Sequence, residues 1–323
     1  MSLRYRDTLH AEMFMFYAIC FLGSWCMFSF VGASLLQTLP YSNLIHWDVV
    51  KIFLLGYAFT YLDRAFKKDG YKWSWFQRLP IWEPVLAYFP AKIHVAKPLD
   101  HDKNYIFAAF PHGACTAQHL ITMTNGCRML SEVHRGERRD LAASVLFLIP
   151  LVRELLLWLG NVDAGASTAQ YNLKKQRSLL IFVGGEAEQL MTTRSSHQVF
   201  LAKRKGFIKL AIQYGVPLVP VYCFGENDVY YVSSALLPLR KWLMQNFHIG
   251  IVPFWGRWGT WFPLKVPLDL VVGEPIAVIQ QAREAITDET VDALHGKFCA
   301  ALTALFDANK ARFGCANASL KIT

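Results

Sequence analysis

Charged residues are scarce in this sequence. Of its 323 residues, 18% are Asp, Glu, Lys or Arg and 54% are hydrophobic, whereas a typical soluble domain has about 25% charged residues. This composition excludes a disordered or fibrous chain and is unusual for a soluble cytosolic enzyme. Acids are the scarcer sign, because 24 Asp and Glu face 33 Lys and Arg, for a net charge of +9. Since the basic residues form no long clusters among polar ones, an anionic membrane surface or a phosphate-bearing substrate is favoured over nucleic acid.

Paired cysteines and several common site motifs are absent as well. The seven cysteines are odd in number and contain no C-x-x-C pair, which excludes a disulfide framework and a zinc site of the usual spacing. We therefore predict no metal and no bound cofactor. The sequence also has no P-loop, no H-E-x-x-H and no G-x-S-x-G. A lipid hydrolase would need the last of these to hold its nucleophile, so that function is disfavoured.

The hydrophobic excess is concentrated near the start of the chain. Residues 13–39 are 27 consecutive residues without a charge, which exceeds the about 20 that a membrane-spanning helix needs and the about 7–15 of a signal peptide. Residues 49–62 form a second apolar stretch that is short for a full crossing and is also typical of a buried core helix. We expect residues 1–66 to form a membrane hairpin or re-entrant pair.

Basic residues flank both ends of this predicted hairpin. Two arginines precede the first stretch and several basic residues follow the second, namely Arg4, Arg6, Arg64, Lys67, Lys68 and Lys72. Because basic flanks stay on the cytosolic side of a membrane, both ends of the hairpin are expected there. Residues 67–323 are then expected to form one cytosolic domain.

This second part of the chain has the rhythm of an α/β domain. Short apolar runs at 104–110, 179–183, 218–223 and 268–272 predict buried strands, and the spacing of apolar residues within 201–214 predicts an amphipathic helix. Strands that alternate with helices favour a mainly parallel sheet covered by helices on both faces.

The first strand end with polar residues is F-P-H-G at 110–113. Active sites of open α/β sheets lie beyond the carboxyl ends of the strands, and His112 follows the strand directly, between Pro111 and Gly113. An unperturbed histidine has a pKa of about 6.5, which suits a general base at neutral pH. The alternative is a histidine at the surface or at a helix start.

The second strand end is V-G-G-E-A-E at 183–188. Gly184 and Gly185 permit a substrate to approach the backbone closely. Glu186 and Glu188 are placed to orient His112 and to stabilise its protonated ring. The alternative is a pair of solvated acids at a helix start, where the helix dipole favours negative charge.

Basic residues mark a third position, K-R-K-G at 203–206. Arg204, Lys205 and the backbone N–H groups at Gly206 suit a phosphate group, although an exposed basic face is the alternative. F-G-E-N at 224–227 and G-E-P at 273–275 repeat the arrangement of a strand followed by glycine. Glu226, Asn227 and Glu274 are therefore expected near the same end of the sheet.

Taken together, these motifs resemble those of a known family. N-Y-I-F-A-A-F-P-H-G, V-G-G-E-A-E, K-R-K-G-F-I-K-L-A, V-P-L-V-P-V-Y-C-F-G-E-N and V-V-G-E-P-I occur in this order. They resemble the type-2 diacylglycerol acyltransferase family, which includes monoacylglycerol and wax-alcohol acyltransferases. The resemblance extends from about residue 50 to residue 314.

The resemblance implies an integral enzyme of the endoplasmic reticulum or lipid droplet that esterifies an alcohol, with acyl-CoA as co-substrate. The second histidine of the family's H-P-H-G falls on His112, its G-G-x-x-E acid on Glu188 and its R-K-G-F on residues 204–207. The family is distantly similar to glycerolipid acyltransferases with a His-x-x-x-x-Asp motif, which implies a fold of that kind.

Two positions depart from these patterns. Phe110 stands where the family has its first histidine, which concentrates the catalytic role on His112. Ala117 stands where the His-x-x-x-x-Asp motif would place its acid. The orienting carboxylate is then expected from Glu188, with Glu186 as its substitute.

The sequence thus predicts an acyl-CoA:diacylglycerol O-acyltransferase that makes triacylglycerol. Candidate substrate contacts are Phe110, Pro111, Gly113, Gly184, Gly185, Glu186, Arg204, Lys205, Gly206, Glu226 and Asn227. The same chemistry on monoacylglycerol, a long-chain alcohol or a sterol is the alternative. Less favoured is a non-catalytic lipid-droplet scaffold, which the altered position Phe110 keeps open. The oligomeric state stays open.

Overall fold

The strands of the domain alternate with helices along the chain. A computed structural model describes residues 47–247 and 252–323. Within these ranges the strands are β1 (Lys92–Val95), β2 (Ile106–Phe110), β3 (Arg138–Ala142), β4 (Asn161–Asp163), β5 (Ser178–Phe182), β6 (Gln198–Val199), β7 (Leu218–Phe224), β8 (Tyr231–Val232), β9 (Phe254–Trp255), β10 (Asp269–Val272) and β11 (Lys321–Ile322).

Seven of these strands form the central sheet, in the order β1-β10-β7-β2-β5-β3-β4. Strands β7, β2, β5, β3 and β4 are mutually parallel. At one edge β10 pairs antiparallel with β7, and β1 is parallel to β10. The predicted α/β fold with a mainly parallel sheet is confirmed.

Helices cover both faces of this sheet. The helices in the described ranges are α1 (Trp47–Phe59), α2 (Ser74–Gln77), α3 (Trp82–Tyr88), α4 (Gln118–Met123), α5 (Val152–Trp158), α6 (Ala166–Lys174), α7 (Gly185–Met191), α8 (Gly206–Tyr214), α9 (Leu237–Phe247) and α10 (Asp288–Asn309).

Successive residues of β2 point to opposite faces and bury two separate clusters, as expected for a strand buried on both sides. Phe107 and Ala109 pack on the face covered by α3 and α4. Ile106, Ala108 and Phe110 pack on the other face, against α6, α8 and α10.

Four predicted strands are found at about their expected positions, as β2, β5, β7 and β10. The strands β1, β3 and β4 were not predicted. In β3 the reason is its polar composition: Arg138, Arg139 and Asp140 are all buried, and Asp140 forms an ion pair with Arg138 across 2.7 Å. A strand that buries paired charges lacks the apolar pattern by which strands are predicted.

The predicted helix over 201–214 is wrong at its start, because α8 begins at Gly206. The N–H groups of Leu201 and Ala202 both donate to the carbonyl of Thr323, at 2.9 and 3.0 Å. The end of the chain forms β11, which pairs with β6. This segment is therefore held extended by a partner that is distant in sequence.

The predicted membrane segment is described only in part. Residues 13–39 lie outside the described residues. The stretch 49–62 forms most of α1 and the short 3₁₀ turn Thr60–Leu62. In the ranges 47–247 and 252–323, no helix combines the length and the apolar character needed to span a membrane.

Candidate active site

His112 lies directly beyond the carboxyl end of β2, a central strand of the sheet. Its Nδ1 is 3.2 Å from the carbonyl oxygen of Gly113 and 3.4 Å from Oγ1 of Thr116. Because a carbonyl only accepts hydrogen bonds, its contact favours the tautomer with the proton on Nδ1. Nε2 is then the nitrogen that can accept a proton.

The imidazole is in a largely apolar setting. Its ring packs edge-on against Phe182 at the end of β5, with 5.9 Å between the ring centroids. Burial lowers the pKa of His112 below its ordinary value, and the hydrogen bond to Gly113 partly opposes this effect. The ring is therefore held in the neutral form that a general base requires.

Glu188 lies beside His112 but contacts its backbone and not its ring. One carboxylate oxygen accepts a short hydrogen bond from the His112 N–H, and the other accepts from the Phe200 N–H at 2.8 Å. The sequence-based expectation that Glu188 orients the imidazole therefore differs from the geometry. The Nδ1 contacts belong instead to Gly113 and Thr116, and Thr116 was not predicted.

Burial also determines the charge state of Glu188. The residue is 2% exposed, and burial raises the pKa of its carboxyl group to about 7, although the two N–H donors and the charge of Arg204 oppose the rise. Because each of its oxygens accepts from a backbone N–H group, Glu188 holds two backbone segments together.

Glu226 has a similar structural role at the start of α4. Its two oxygens accept from the N–H groups of Ala117 and Gln118, at 2.8 and 2.7 Å. Burial raises the pKa of Glu226 to about 8. Gly113, with φ of +69°, packs so closely that a Cβ there would lie 2.7 Å from a Glu226 oxygen. Glu226 therefore shapes the turn that carries His112.

The other residues predicted around His112 have different surroundings. Phe110 is fully buried on the α10 face, 6.4 Å from the ring of Phe298. The Asn227 amide donates to the carbonyl of Ser196 at 2.7 Å, and Glu186 is exposed in the first turn of α7. The carbonyl of Pro111 accepts from the Gln118 side chain. Phe110 and Asn227 thus contribute to the framework of the site. The expectation for Glu274 is wrong, because β10 runs antiparallel to β7 and the residues after it lie toward the amino end of β7.

Both glycines of the second motif lie at the start of α7. Gly185 has φ of +54° with open space where a Cβ would stand, whereas a Cβ on Gly184 would overlap the carboxylate of Glu188. Glycine at 184 is therefore required by the close approach of Glu188.

The predicted basic cluster lies at the start of α8, next to a cavity of about 550 Å³. Gly206, Phe207 and Lys209 line the cavity together with Arg283 and the start of α6. Arg204 is exposed, and Lys205 forms an ion pair with Asp292.

This cavity lies on the opposite side of β5 from His112, because Ile181 lines it while the next residue, Phe182, contacts His112. Cavity and histidine share the carboxyl end of the sheet.

A second histidine next to the site was also not predicted. His119, in the first turn of α4, also packs against the ring of Phe182, with the ring centroids 5.0 Å apart. Its Nε2 lies 3.3 Å from Oδ2 of Asp140. Burial raises the pKa of Asp140, but the charge of Arg138 and the contact with His119 outweigh burial and lower this pKa to about 2. No local signal indicates this contact, because the residues are 21 positions apart.

Comparisons with known proteins add to this geometry. Residues 18–322 match a family model described as diacylglycerol acyltransferase. The chain is 31% identical to human 2-acylglycerol O-acyltransferase 3 over 81% of both chains. It is 34% identical to human diacylglycerol O-acyltransferase 2, over 77% of this chain and 67% of the relative.

A third relative is mouse acyl-CoA wax alcohol acyltransferase 2, which is 30% identical over 83% of this chain and 84% of its own length. Among solved structures, a 1-acyl-sn-glycerophosphate acyltransferase from Thermotoga maritima aligns at 16% identity and a TM-score of 0.42, over 92% of this chain and 95% of that one.

Proposed function

Because the chain belongs to the diacylglycerol acyltransferase family, we propose that it transfers an acyl group from acyl-CoA to the free hydroxyl of diacylglycerol, with His112 as general base. The observation that carries the proposal is the imidazole beyond β2, which the Nδ1 contacts orient and burial keeps neutral.

The proposed reaction is a single displacement at the thioester. Nε2 of His112 takes the proton of the acceptor hydroxyl while the oxygen attacks the thioester carbonyl carbon. The resulting tetrahedral intermediate collapses, the C–S bond breaks, and the proton passes from His112 to the leaving CoA thiolate. Backbone N–H groups of Gly113, or of Gly184 and Gly185, are the proposed donors to the oxyanion.

Glu188 has a positioning role in this proposal. Its carboxyl group holds the backbone of His112 and of Phe200 at once. The base is thus fixed at its backbone by Glu188 and at its ring by Gly113 and Thr116.

Acyl-CoA is the proposed donor, with its phosphates near the start of α8. Arg204, Lys205, Lys209 and Arg283 lie at or beside the cavity there, and the N–H groups of a helix start favour anions. The long pantetheine arm would then carry the thioester around the end of β5 to His112.

The proposed setting is the endoplasmic reticulum membrane or the lipid droplet, with the domain on the cytosolic side. The support is the apolar run of residues 13–39 and the basic residues that flank it.

The acceptor is tested with purified full-length protein, labelled acyl-CoA and a panel of diacylglycerol, monoacylglycerol, long-chain alcohol and sterol. We expect triacylglycerol as the main product. His112→Ala is expected to lower the rate about 10²–10⁴-fold, the usual contribution of a general base. His101→Ala, at an exposed loop histidine, is the matched control and should keep full activity.

The alternatives give different results in the same assay. If the main product forms from another acceptor of the panel, that acceptor replaces diacylglycerol in the proposal and the mechanism is unchanged. Near-normal synthesis by His112→Ala would refute His112 as the base. No ester from any acceptor would favour the non-catalytic scaffold.

A further inference from the structure

The connection between β7 and β10 displays a set of exposed tryptophans. Phe224 at the end of β7 pairs with Asp269 at the start of β10, so the connection leaves and re-enters the sheet at one end. Because β2 runs parallel to β7, His112 lies at this same end. We call its exposed apolar residues the tryptophan rim: Leu236, Leu239, Trp242, Trp255, Trp258 and Trp261.

Rim residues are exposed to an unusual degree for their type. Trp258 is 68% exposed and Trp261 is 58% exposed. Large apolar side chains grouped on a surface indicate an interaction site. The neighbouring Phe262 is buried, 5.2 Å from the ring of Tyr88, whose hydroxyl donates to the Pro263 carbonyl at 2.7 Å. The base of the loop is thus anchored in the core.

Backbone hydrogen bonds hold the loop in this shape. The Gly256 N–H donates to the Thr260 carbonyl at 2.6 Å, and the Arg257 N–H donates to the Phe262 carbonyl at 2.7 Å. The Thr260 N–H also donates to the Arg257 carbonyl at 3.0 Å. These bonds define the tight turn that carries Trp258 and Trp261.

The charge of this segment has one sign. Residues 229–268 contain no Asp or Glu. Lys241, Arg257 and Lys265 are its basic residues at or near the surface, whereas Arg240 is buried and donates to the Ser233 carbonyl. The Arg257 guanidinium lies over the ring of Trp258, 4.6 Å from its centroid. Tryptophan next to basic residues is typical of the interface between water and an anionic bilayer.

A second exposed apolar surface lies on the β3 side of the sheet. On α1 and the turn after it, Ile52, Leu55 and Leu62 are more than half exposed. The hydroxyl of Tyr57 accepts from the Leu151 N–H at 3.0 Å, in the connection after β3. His112 therefore lies between two apolar surfaces, one on the β7 side and one on the β3 side.

We propose that the tryptophan rim rests on an anionic lipid bilayer and turns the carboxyl end of the sheet, with His112, toward the membrane. Exposed tryptophans beside basic residues, in a segment without acids, fit the interfacial region of an anionic bilayer. The inference rests on the proposed function in one respect, which is that a lipid acceptor would reach His112 directly from the bilayer.

Fluorescence quenching tests the placement without any catalysis. Full-length protein is reconstituted into vesicles of phosphatidylcholine and phosphatidylserine, with and without brominated acyl chains. Trp258→Phe/Trp261→Phe should lower the fraction of tryptophan emission that bromine quenches. Trp75→Phe is the matched control, because Trp75 is 61% exposed but packs against Trp73, which contacts Trp158 just before the amino end of β4. This control should leave the quenched fraction equal or higher.

An unchanged quenched fraction in the double variant would overturn the proposal. So would a rim that is covered by a second copy, detected as a concentration-dependent dimer that Trp258→Ser/Trp261→Ser abolishes. If quenching behaves as expected but no ester forms, the rim proposal stands and the proposed function fails.

A kinetic comparison adds a second readout. Trp258→Ser/Trp261→Ser should lower ester synthesis several-fold with a long-chain acceptor embedded in vesicles, and leave the rate with a water-soluble short-chain acceptor unchanged. Equal losses with both acceptors would contradict membrane docking and indicate damage to the fold.

Discussion

His112 has two kinds of support that act on different atoms. The carboxyl group of Glu188 holds its backbone N–H, whereas the Gly113 carbonyl and the Thr116 hydroxyl hold its ring. The sequence indicated His112 and Glu188 as neighbours from the motifs alone. Which atoms of the two residues meet could not be predicted, because the contact joins residues 76 positions apart.

At the residue scale, the pH dependence of catalysis follows from the ring. His112 is active when neutral, so activity is lost as the pH falls through its pKa. Because burial lowers that pKa below the ordinary histidine value of 6.5, we expect the acid limb of the kcat/KM profile below pH 6.5. The measurement is the initial rate in vesicles across a pH series.

Burial raises the pKa of Glu188 to about 7, so the contribution of this carboxyl group to the profile has to be separated. Glu188→Gln removes this titration and keeps one acceptor oxygen. An acid limb that persists in Glu188→Gln belongs to His112. A limb that disappears in this variant would contradict the assignment.

At the element scale, β3 shows how a polar strand is stabilised in a core. Asp140 accepts from the Arg138 side chain at 2.7 and 3.2 Å, and its Oδ2 lies 3.3 Å from Nε2 of His119. A buried ion pair contributes little net stability, but removal of one partner leaves an uncompensated buried charge.

Asp140→Asn should therefore destabilise the fold by about 3–5 kcal/mol, because Arg138 is left without its counter-charge. The measurement is the apparent thermal midpoint of the full-length protein in detergent. Arg138→Met/Asp140→Leu is the matched control, since it removes both charges and should recover much of the loss. Equal midpoints for Asp140→Asn and the parent chain would contradict the importance of this pair.

The helix α8 is a second element whose start depends on distant contacts. Its apolar spacing was predictable, but its first residue was not, because residues 201 and 202 bond to the end of the chain. That boundary places Gly206, which directly follows the basic residues, at the cavity. The phosphate role predicted for this cluster stays a prediction.

At the scale of the whole molecule, the net charge of +9 is distributed unevenly. The cluster at 203–205 lies at the carboxyl end of the sheet, and the acid-free segment 229–268 follows β7 at the same end. This end therefore combines basic charge with exposed aromatic residues, which suits both an anionic bilayer and a phosphate-bearing substrate.

Binding of acyl-CoA tests the phosphate role predicted for the basic cluster at 203–205. A hydrogen bond to a charged group contributes about 1.5–3 kcal/mol, so Arg204→Ala should raise the KM for acyl-CoA roughly tenfold or more. The ring of His112 is held by Gly113 and Thr116 and not by Arg204, so kcat should change little.

Lys174→Ala is the control for this prediction. Lys174 is an exposed lysine in the last turn of α6, at the end of the helix far from the cavity. Its KM should match that of the parent chain. A similar rise of KM in both variants would indicate a general charge effect, not a phosphate site at Arg204.

The sequence by itself determined the features that neighbouring residues encode. Apolar runs specified the central strands β2, β5, β7 and β10, and the residues that follow β2 and β5 specified His112 and the glycines, because strand burial and turns depend on local composition. The altered position Phe110 was also visible there. Only the tertiary structure decided that this phenylalanine packs in the core away from the His112 ring.

The tertiary structure also decided what the two buried glutamates hold, which charges pair in β3 and which tryptophans stay exposed. Each of these outcomes depends on groups that folding brings together from far apart, such as Glu226 and the Ala117 N–H, 109 positions away. The burial of a glutamate and its hydrogen-bond partners depend on the packed chain. The same side chain is a solvated acid at the surface, but in the core it holds backbone N–H groups. Composition alone cannot specify that surrounding.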